Sequence, residues 1–322
     1  MSVPSSTTKV TAHRHANVTL VGAGTIGLSF AALHLTANPD AQLTIYDTRP
    51  DLDQYVESNL PGYVSGAGVD FEHCKSRLHL ANSLESAVSS ADIIQEQGPE
   101  NLDFKSGLWP QVEKYAPANA LFWSSTSGIP ASAQSANMQD QTRLTVVHPY
   151  NPPHIMPLLE VVPAPTTSSS VVERTLSYWR SIGRTPVVIQ KETTGFVANR
   201  LAFALFREAI SLVNAGIVSV SDLDAIVENS MGPRWVVAGP FKSYHAGGGA
   251  GGLQAFMQNI GGTVKDCWSA SEVIKVGAGG IEQGWEESIC AEAEKAYGRV
   301  DTGARDRITR EVLRAVNEGK RS

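Results

Sequence analysis

His148 closes the apolar run Leu144-Thr145-Val146-Val147 and is followed at once by Pro149. The run reads as a strand, and proline, with no N–H to give to a ladder, ends it. In an open α/β sheet the carboxyl edge of the strands borders the ligand crevice. Histidine is the side chain that exchanges protons near neutral pH, so one placed there can take the proton of an alcohol that loses hydride, or return it to a ketone. Taken alone, His148 equally suits a structural role. A second signal is Gly22-Ala23-Gly24-Thr25-Ile26-Gly27, which follows the β-branched run Val18–Val21 and precedes a helix-like stretch from Ile26 to Leu35. Gly22 permits a tight turn, Gly24 lets backbone approach a diphosphate, and Gly27 lets helix pack on strand, while the helix start, Thr25 and Ile26 included, presents free N–H groups to an anion. Asp47 ends the next apolar run, 20 positions after Gly27. A carboxylate there accepts ribose hydroxyls of NAD and repels the 2′-phosphate of NADP. The competing reading is a glycine turn that binds nothing, and Arg49 keeps NADP use open.

These residues need a scaffold, and the hydrophobic pattern describes one. Short apolar runs at Leu43–Tyr46, Leu78–Leu80, Asp92–Gln95, Leu121–Trp123, Leu144–Val147, Leu158–Val162 and Pro186–Ile189 alternate with stretches of helix length such as Asn101–Tyr115 and Ser169–Ile182. That alternation predicts a parallel, doubly wound Rossmann-type sheet over residues 17–192. Beyond Lys191 the strand signal stops. A helix opening at Thr194-Gly195-Phe196 and running to Asn214, another capped by Ser221, and further helical patterns predict an all-α C-terminal domain, 193–322. The run His245–Gly252, with five glycines in six positions, predicts a mobile or closely approached loop that closes over substrate or simply joins helices. Residues 1–16, Ser/Thr-rich and ending in His13–His15, read as a disordered tail rather than a targeting segment.

Composition narrows the partners. With 26 basic and 32 acidic residues, a net charge of −6, nothing favours nucleic acid or an anionic membrane. No apolar run approaches the ~18 residues that span a bilayer. Cys74, Cys267 and Cys290 lie far apart and form no ligand pair, so no metal site is expected and a reducing, cytoplasmic setting fits best.

The segment His148-Pro149-Tyr150-Asn151-Pro152-Pro153-His154-Ile155-Met156-Pro157-Leu158-Leu159-Glu160-Val161-Val162-Pro163 resembles the catalytic segment of the 3-hydroxyacyl-CoA dehydrogenase superfamily, most of all its lambda-crystallin and L-gulonate 3-dehydrogenase branch. Ser124-Ser125-Thr126-Ser127-Gly128, Thr194–Leu201, Ser221–Asp224 and Gly232–Phe241 extend the likeness from about Val18 to Met257. The resemblance implies NAD as cofactor, a small-molecule substrate and a homodimer. It implies His148 as general base, Glu160 as the carboxylate that orients it, and Ser127 and Asn199 as hydrogen-bond partners of the reacting oxygen. Gln97, Glu100, Lys105 and Asn151 match positions on the nicotinamide and ribose side. Local readings compete: a strand-edge ion pair for Glu160, a turn or cap for Ser127, a helix residue facing the other domain for Asn199, a surface charge pair for Lys105.

One departure bears on substrate. The CoA-using relatives meet CoA phosphates with basic residues after the second strand, whereas the stretch between Arg49 and Lys75 carries Asp51, Asp53, Glu57, Asp70 and Glu72 and no Lys or Arg. Phosphate recognition needs cations or N–H donors, so a free 3-hydroxy acid is expected over a CoA thioester. Its carboxylate needs a cation, for which Arg200 and Arg234 are the candidates, with an intramolecular ion pair as the alternative for each. Ser125, Gly128 and Pro130 also depart from the serine motif, which leaves the substrate pocket open.

Overall fold

The computed structural model describes residues 16–271, 276–277, 280–281 and 285–321. The expected N-terminal tail lies outside them, Ala16 excepted. The chain divides into two compact units, Met1–Asn199 and Arg200–Ser322. The division falls seven residues beyond the boundary expected at 192.

The first unit is built on eight strands: β1 (Asn17–Val21), β2 (Gln42–Tyr46), β3 (Leu78–Leu80), β4 (Ile93–Glu96), β5 (Leu121–Ser124), β6 (Leu144–Pro149), β7 (Leu158–Pro163) and β8 (Thr185–Val188). They form one sheet in the order β3-β2-β1-β4-β5-β6-β7-β8. Helices α1 (Thr25–Ala37), α2 (Leu52–Ser65), α3 (Glu72–Lys75), α4 (Leu84–Val88), α5 (Leu102–Tyr115), α6 (Ala131–Gln134) and α7 (Ser169–Ser181) connect them. Side chains on a strand alternate between faces, and here they alternate between two cores. Leu20, Ile93, Leu121 and Trp123 join Phe30, Leu60 and Trp179 on one side. Val21, Ile94 and Phe122 join Leu108, Trp109 and Val112 on the other. A sheet covered on both faces explains why β4, β5 and β6 are buried along their whole length.

The sheet is not wholly parallel as expected. β7 pairs antiparallel with β6, while every other pairing in the sheet is parallel. The link over 150–157 is shorter than the dozen or so residues that a parallel crossover needs, so the chain turns back beside the strand it leaves.

One polar chain runs through this apolar interior. The His34 Nδ1 lies 2.7 Å from the Tyr178 hydroxyl and its Nε2 lies 3.2 Å from Gln95 Oε1, while the Gln95 amide donates to Ser125 Oγ at 3.2 Å. Burial lowers the His34 pKa to about 4, against the Gln95 hydrogen bond, which raises it, and with help from the nearby Arg184 charge.

The second unit is helical: α8 (Ala198–Asn214, whose first two residues belong to the first unit), α9 (Val220–Asn229), α10 (Met231–Val237), α11 (Pro240–Gly247), α12 (Gly252–Ala270), α13 (Trp285–Tyr297) and α14 (Thr302–Gly319). It is not strictly all-α, because Val276–Gly277 pairs with Gly280–Ile281. The cap expected at Ser221 is Ser219 instead, whose hydroxyl accepts from the Asp222 N–H at 3.1 Å. A serine cap reaches the N–H three residues on, and only Ser219 stands at that distance from Asp222. The glycine run is a junction between α11 and α12 with one 3₁₀ turn, Gly249–Gly251. Gly249 and Gly252 take φ of 58° and 59°, which a side chain would disfavour. His245 there accepts from the Leu253 N–H through Nδ1 at 3.2 Å.

Candidate active site

His148 and Glu160 are register partners across the antiparallel β6–β7 pair. Directly opposed residues project on one face of the sheet, and the two side chains meet there with Nδ1 and Oε2 2.8 Å apart. Both are buried. The other oxygen, Oε1, accepts the backbone N–H groups of Val197 and Ala198 at 2.9 Å each. Burial pushes the Glu160 pKa up, but the His148 hydrogen bond and the N–H groups of Ala198 and Val197 outweigh it, so the carboxyl is held below its ordinary value. An ionised Glu160 on Nδ1 leaves Nε2 as the atom of the imidazole able to exchange a proton with substrate. Asn199 follows half-buried in the first turn of α8.

The serine loop after β5 is fastened by one carboxylate oxygen. Glu100 Oε1 accepts from Thr126 Oγ1 at 2.6 Å, from the N–H groups of Ser127 and Gly128 at 3.0 and 3.1 Å, and from Ser127 Oγ at 3.1 Å. Ser127 itself is exposed. Lys105, expected beside the cofactor or in a surface pair, is neither free nor on the surface. Its Nζ lies 2.7 and 2.8 Å from the two oxygens of buried Glu96, and 3.9 Å from Glu100 Oε2. Glu96 also accepts from Gly98 N–H and Ser124 Oγ. Glu96 was legible only as an acid ending the apolar run Ile93-Ile94-Gln95, nine residues before a lysine.

The dinucleotide turn has the expected geometry. Gly22 takes φ 110°, and a Cβ on Gly27 would lie 2.1 Å from the Gly22 carbonyl oxygen, so both must be glycine. A Cβ on Gly24 would meet no protein atom within 4 Å, leaving the side where a diphosphate approaches open. Gly24 caps α1 without a side chain, so the first N–H groups of that helix, which have no intrahelical acceptor, face outward. Asp47 Oδ2 accepts from Ala23 N–H at 2.7 Å and Oδ1 from Arg49 N–H at 2.9 Å, which fixes the carboxylate beside the turn with lone pairs to spare. The Arg49 guanidinium is committed elsewhere, 2.8 Å from Asp51 and 3.4 Å above the Tyr55 ring. Both amide atoms of Gln97 are buried without a hydrogen-bond partner, and a Cβ on Gly27 would lie 3.7 Å from its Oε1. An orphaned amide beside a cradle of free N–H groups suits a polar ligand there. Asn151 is exposed at the start of the β6–β7 link, ahead of a cis Pro152. Arg200 and Arg234 lie exposed on α8 and α10, and among the described residues neither forms an ion pair. Among the described residues no cluster of ligating side chains could hold a metal ion, and no helix is long and apolar enough to cross a membrane.

A dinucleotide cradle and a histidine–carboxylate pair at the same sheet edge define an NAD-dependent dehydrogenase. Comparison with known proteins adds the lineage. Residues 17–193 match the model of the 3-hydroxyacyl-CoA dehydrogenase NAD binding domain and 195–284 that of the C-terminal domain, so the chain belongs to the 3-hydroxyacyl-CoA dehydrogenase family. It is 39% identical over 253 residues to a 3-hydroxyacyl-CoA dehydrogenase of Gibberella moniliformis, covering 77% of this chain and 78% of that one. It is 34% identical over 312 residues to an L-carnitine dehydrogenase of Streptomyces coelicolor, covering 93% and 94%. Among solved structures, an NAD+-dependent dismutase, 5-formyl-3-hydroxy-2-methylpyridine 4-carboxylic acid 5-dehydrogenase, superposes with a TM-score of 0.73 at 26% identity, covering 94% and 98%.

Proposed function

We propose that the protein oxidises the 3-hydroxyl of a small free carboxylic acid to a ketone, reversibly, with NAD. The observation that carries the proton chemistry is the buried His148–Glu160 hydrogen bond of 2.8 Å on the cofactor edge of the sheet. NAD, when bound, supplies the hydride acceptor. His148 takes the hydroxyl proton at Nε2, and Glu160 holds the ring in the required tautomer and stabilises its charged form. Ser127 and Asn199 hydrogen-bond the reacting oxygen and so restrict its approach to the imidazole. Glu100 sets the position of Ser127 through the loop hydrogen bonds. The Gly22–Gly27 turn and Asp47 hold the diphosphate and ribose, with Gln97, Lys105 and Asn151 on the nicotinamide side, Lys105 acting through Glu96.

A free acid is favoured over a CoA thioester by the surface after β2. Arg49 is spent on Asp51, and Lys75 lies 3.5 and 4.0 Å from Glu57 and Glu72, so no uncommitted Lys or Arg in this stretch faces a phosphate. The full-length likeness to L-carnitine dehydrogenases points the same way, since carnitine is a free 3-hydroxy acid, as is the gulonate used by the branch that the catalytic segment resembles. The name of the Gibberella relative keeps 3-hydroxyacyl-CoA as the second reading. Arg200 and Arg234 are the cations for the substrate carboxylate. The helical unit provides the subunit contact of a homodimer, and a cytoplasmic location suits the cofactor.

The test is NADH production from L-carnitine, L-gulonate and related 3-hydroxy acids, beside NADH consumption with acetoacetyl-CoA. Turnover of free acids with little or none of the thioester is expected; the reverse order would overturn the free-acid reading.

A further inference from the structure

We propose that Phe196 is a positioning residue of the acid–base pair, one that aims Glu160 at His148 without touching substrate. The inference rests on the dyad reading above. Phe196 has φ 50°, the one non-glycine residue at positive φ among those described, and it follows Gly195 at 72°. Bulky side chains rarely take that conformation, and where one does the surroundings must hold it there. Here they do. Phe196 is fully buried in a small cluster with Val146, Val162, Ala131 and Ala164.

The placement follows from the strand period. Val146 and Val162 are themselves register partners, two residues before His148 and two after Glu160, so all four side chains share one sheet face. Phe196 packs on that face next to the dyad. Its ring centroid lies 5.3 Å from that of the imidazole, with planes inclined at 51°. Two consecutive left-handed residues bend the chain so that the next two N–H groups, those of Val197 and Ala198, converge on Glu160 Oε1. With Oε1 so engaged, Oε2 is the oxygen that faces His148 Nδ1. The aromatic ring packs against the imidazole and so opposes its rotation away from the carboxylate. A mere filler of this cluster would need neither the positive φ nor the contact with the histidine.

The experiment uses the full chain with Phe196→Leu, which keeps an apolar side chain, and Phe196→Gly, which takes positive φ without strain. The first readout is the downfield proton NMR resonance of His148 Nδ1–H, assigned by its loss in His148→Gln. The second is the split between kcat and KM for the best free 3-hydroxy acid, with NADH affinity and circular dichroism as controls of fold. The resonance should broaden or vanish, and kcat should fall by roughly tenfold or more while KM moves by less than about threefold, as expected when reacting groups are displaced rather than removed. Wild-type resonance and kcat in Phe196→Leu would overturn the proposal. So would a fall in kcat matched by lost NADH affinity and lost helical signal, the mark of a core residue only. Should Phe196→Leu fail to fold, Phe196→Gly is judged by the same criteria. A His148→Gln variant that turns over near the parent rate would instead overturn the dyad, which separates the two failures.

Discussion

Lys105 and Glu96 form an ion pair closed to solvent, with side chains 1% and 0% exposed and N–O distances of 2.7 and 2.8 Å. Removing one partner of such a pair leaves a buried charge without compensation, at a cost of about 3–5 kcal/mol. Lys105→Met is therefore expected to lower the unfolding midpoint sharply, measured by denaturant titration. The serine loop should loosen with it, because Glu96 also holds Ser124 and Gly98. A variant as stable as the parent would contradict the burial of the pair.

Cofactor choice follows from Asp47 and Arg49. The carboxylate is fixed beside the glycine turn by Ala23, and the guanidinium that could meet a 2′-phosphate is tied to Asp51. NADH should bind more tightly than NADPH in fluorescence titrations, and Asp47→Ser should narrow the gap. Equal affinities in the parent protein would remove Asp47 from this role.

Proton transfer is tested at the dyad. His148→Gln should retain NADH binding and lose a factor on the order of 10²–10⁴ in turnover, the usual contribution of a placed acid–base group. Glu160→Gln should do comparable harm, and the double variant little more, because base and orienter act as a unit. Additive losses would route the proton through another group.

His34 gives the fold an acid sensitivity. Its folded pKa of about 4 lies below the ordinary 6.5, so the unfolded chain binds the proton first. Stability from this group is complete above pH 6.5 and is lost progressively as pH falls towards 4, by about 3 kcal/mol in all at 1.36 kcal/mol per pH unit. Thermal melts across that window should fall less steeply with acid in His34→Gln, which cannot take up the proton. Parallel curves for the two proteins would assign the sensitivity to other groups.

Assembly is the last expectation. Within the helical unit Phe203 and Phe206 on α8 are 64% and 58% exposed, and Phe241 on α11 is 78% exposed. Large apolar side chains in that number suit the subunit contact proposed for this unit. Sedimentation at micromolar concentration should give twice the 34.4 kDa chain mass, and Phe206→Glu should shift it towards one. A monomer from the unaltered chain would leave these side chains unexplained.

Much of the candidate site is legible in the sequence, for a physical reason. The glycine turn, Asp47 and His148 sit at ends of strands, where a change in local pattern marks the position. Glu160 became legible as a partner of His148 only through resemblance, because its pairing depends on the reversed β7, and strand direction leaves no mark on a period-two pattern. Lys105 reads as a cofactor-side residue by resemblance or as half of a surface pair, since nothing local announces a buried ammonium; Glu96 has to be placed opposite first. Phe196 reads as the start of a helix that in fact begins at Ala198, because positive φ is written in the sequence only when glycine occupies the position. Ser219 was displaced by a neighbouring serine of equal local merit.

The antiparallel pairing of β6 with β7 also bears on how such an enzyme diversifies. The His148–Glu160 pair hangs on a ladder of backbone hydrogen bonds in the interior of the sheet, whereas the surface after β2 and the helices beyond Asn199 are separate stretches of chain. Selection can rewrite those stretches for a new substrate while the ladder keeps histidine and carboxylate in register. One oxidation step thereby becomes portable among substrates that share little besides a hydroxyl group.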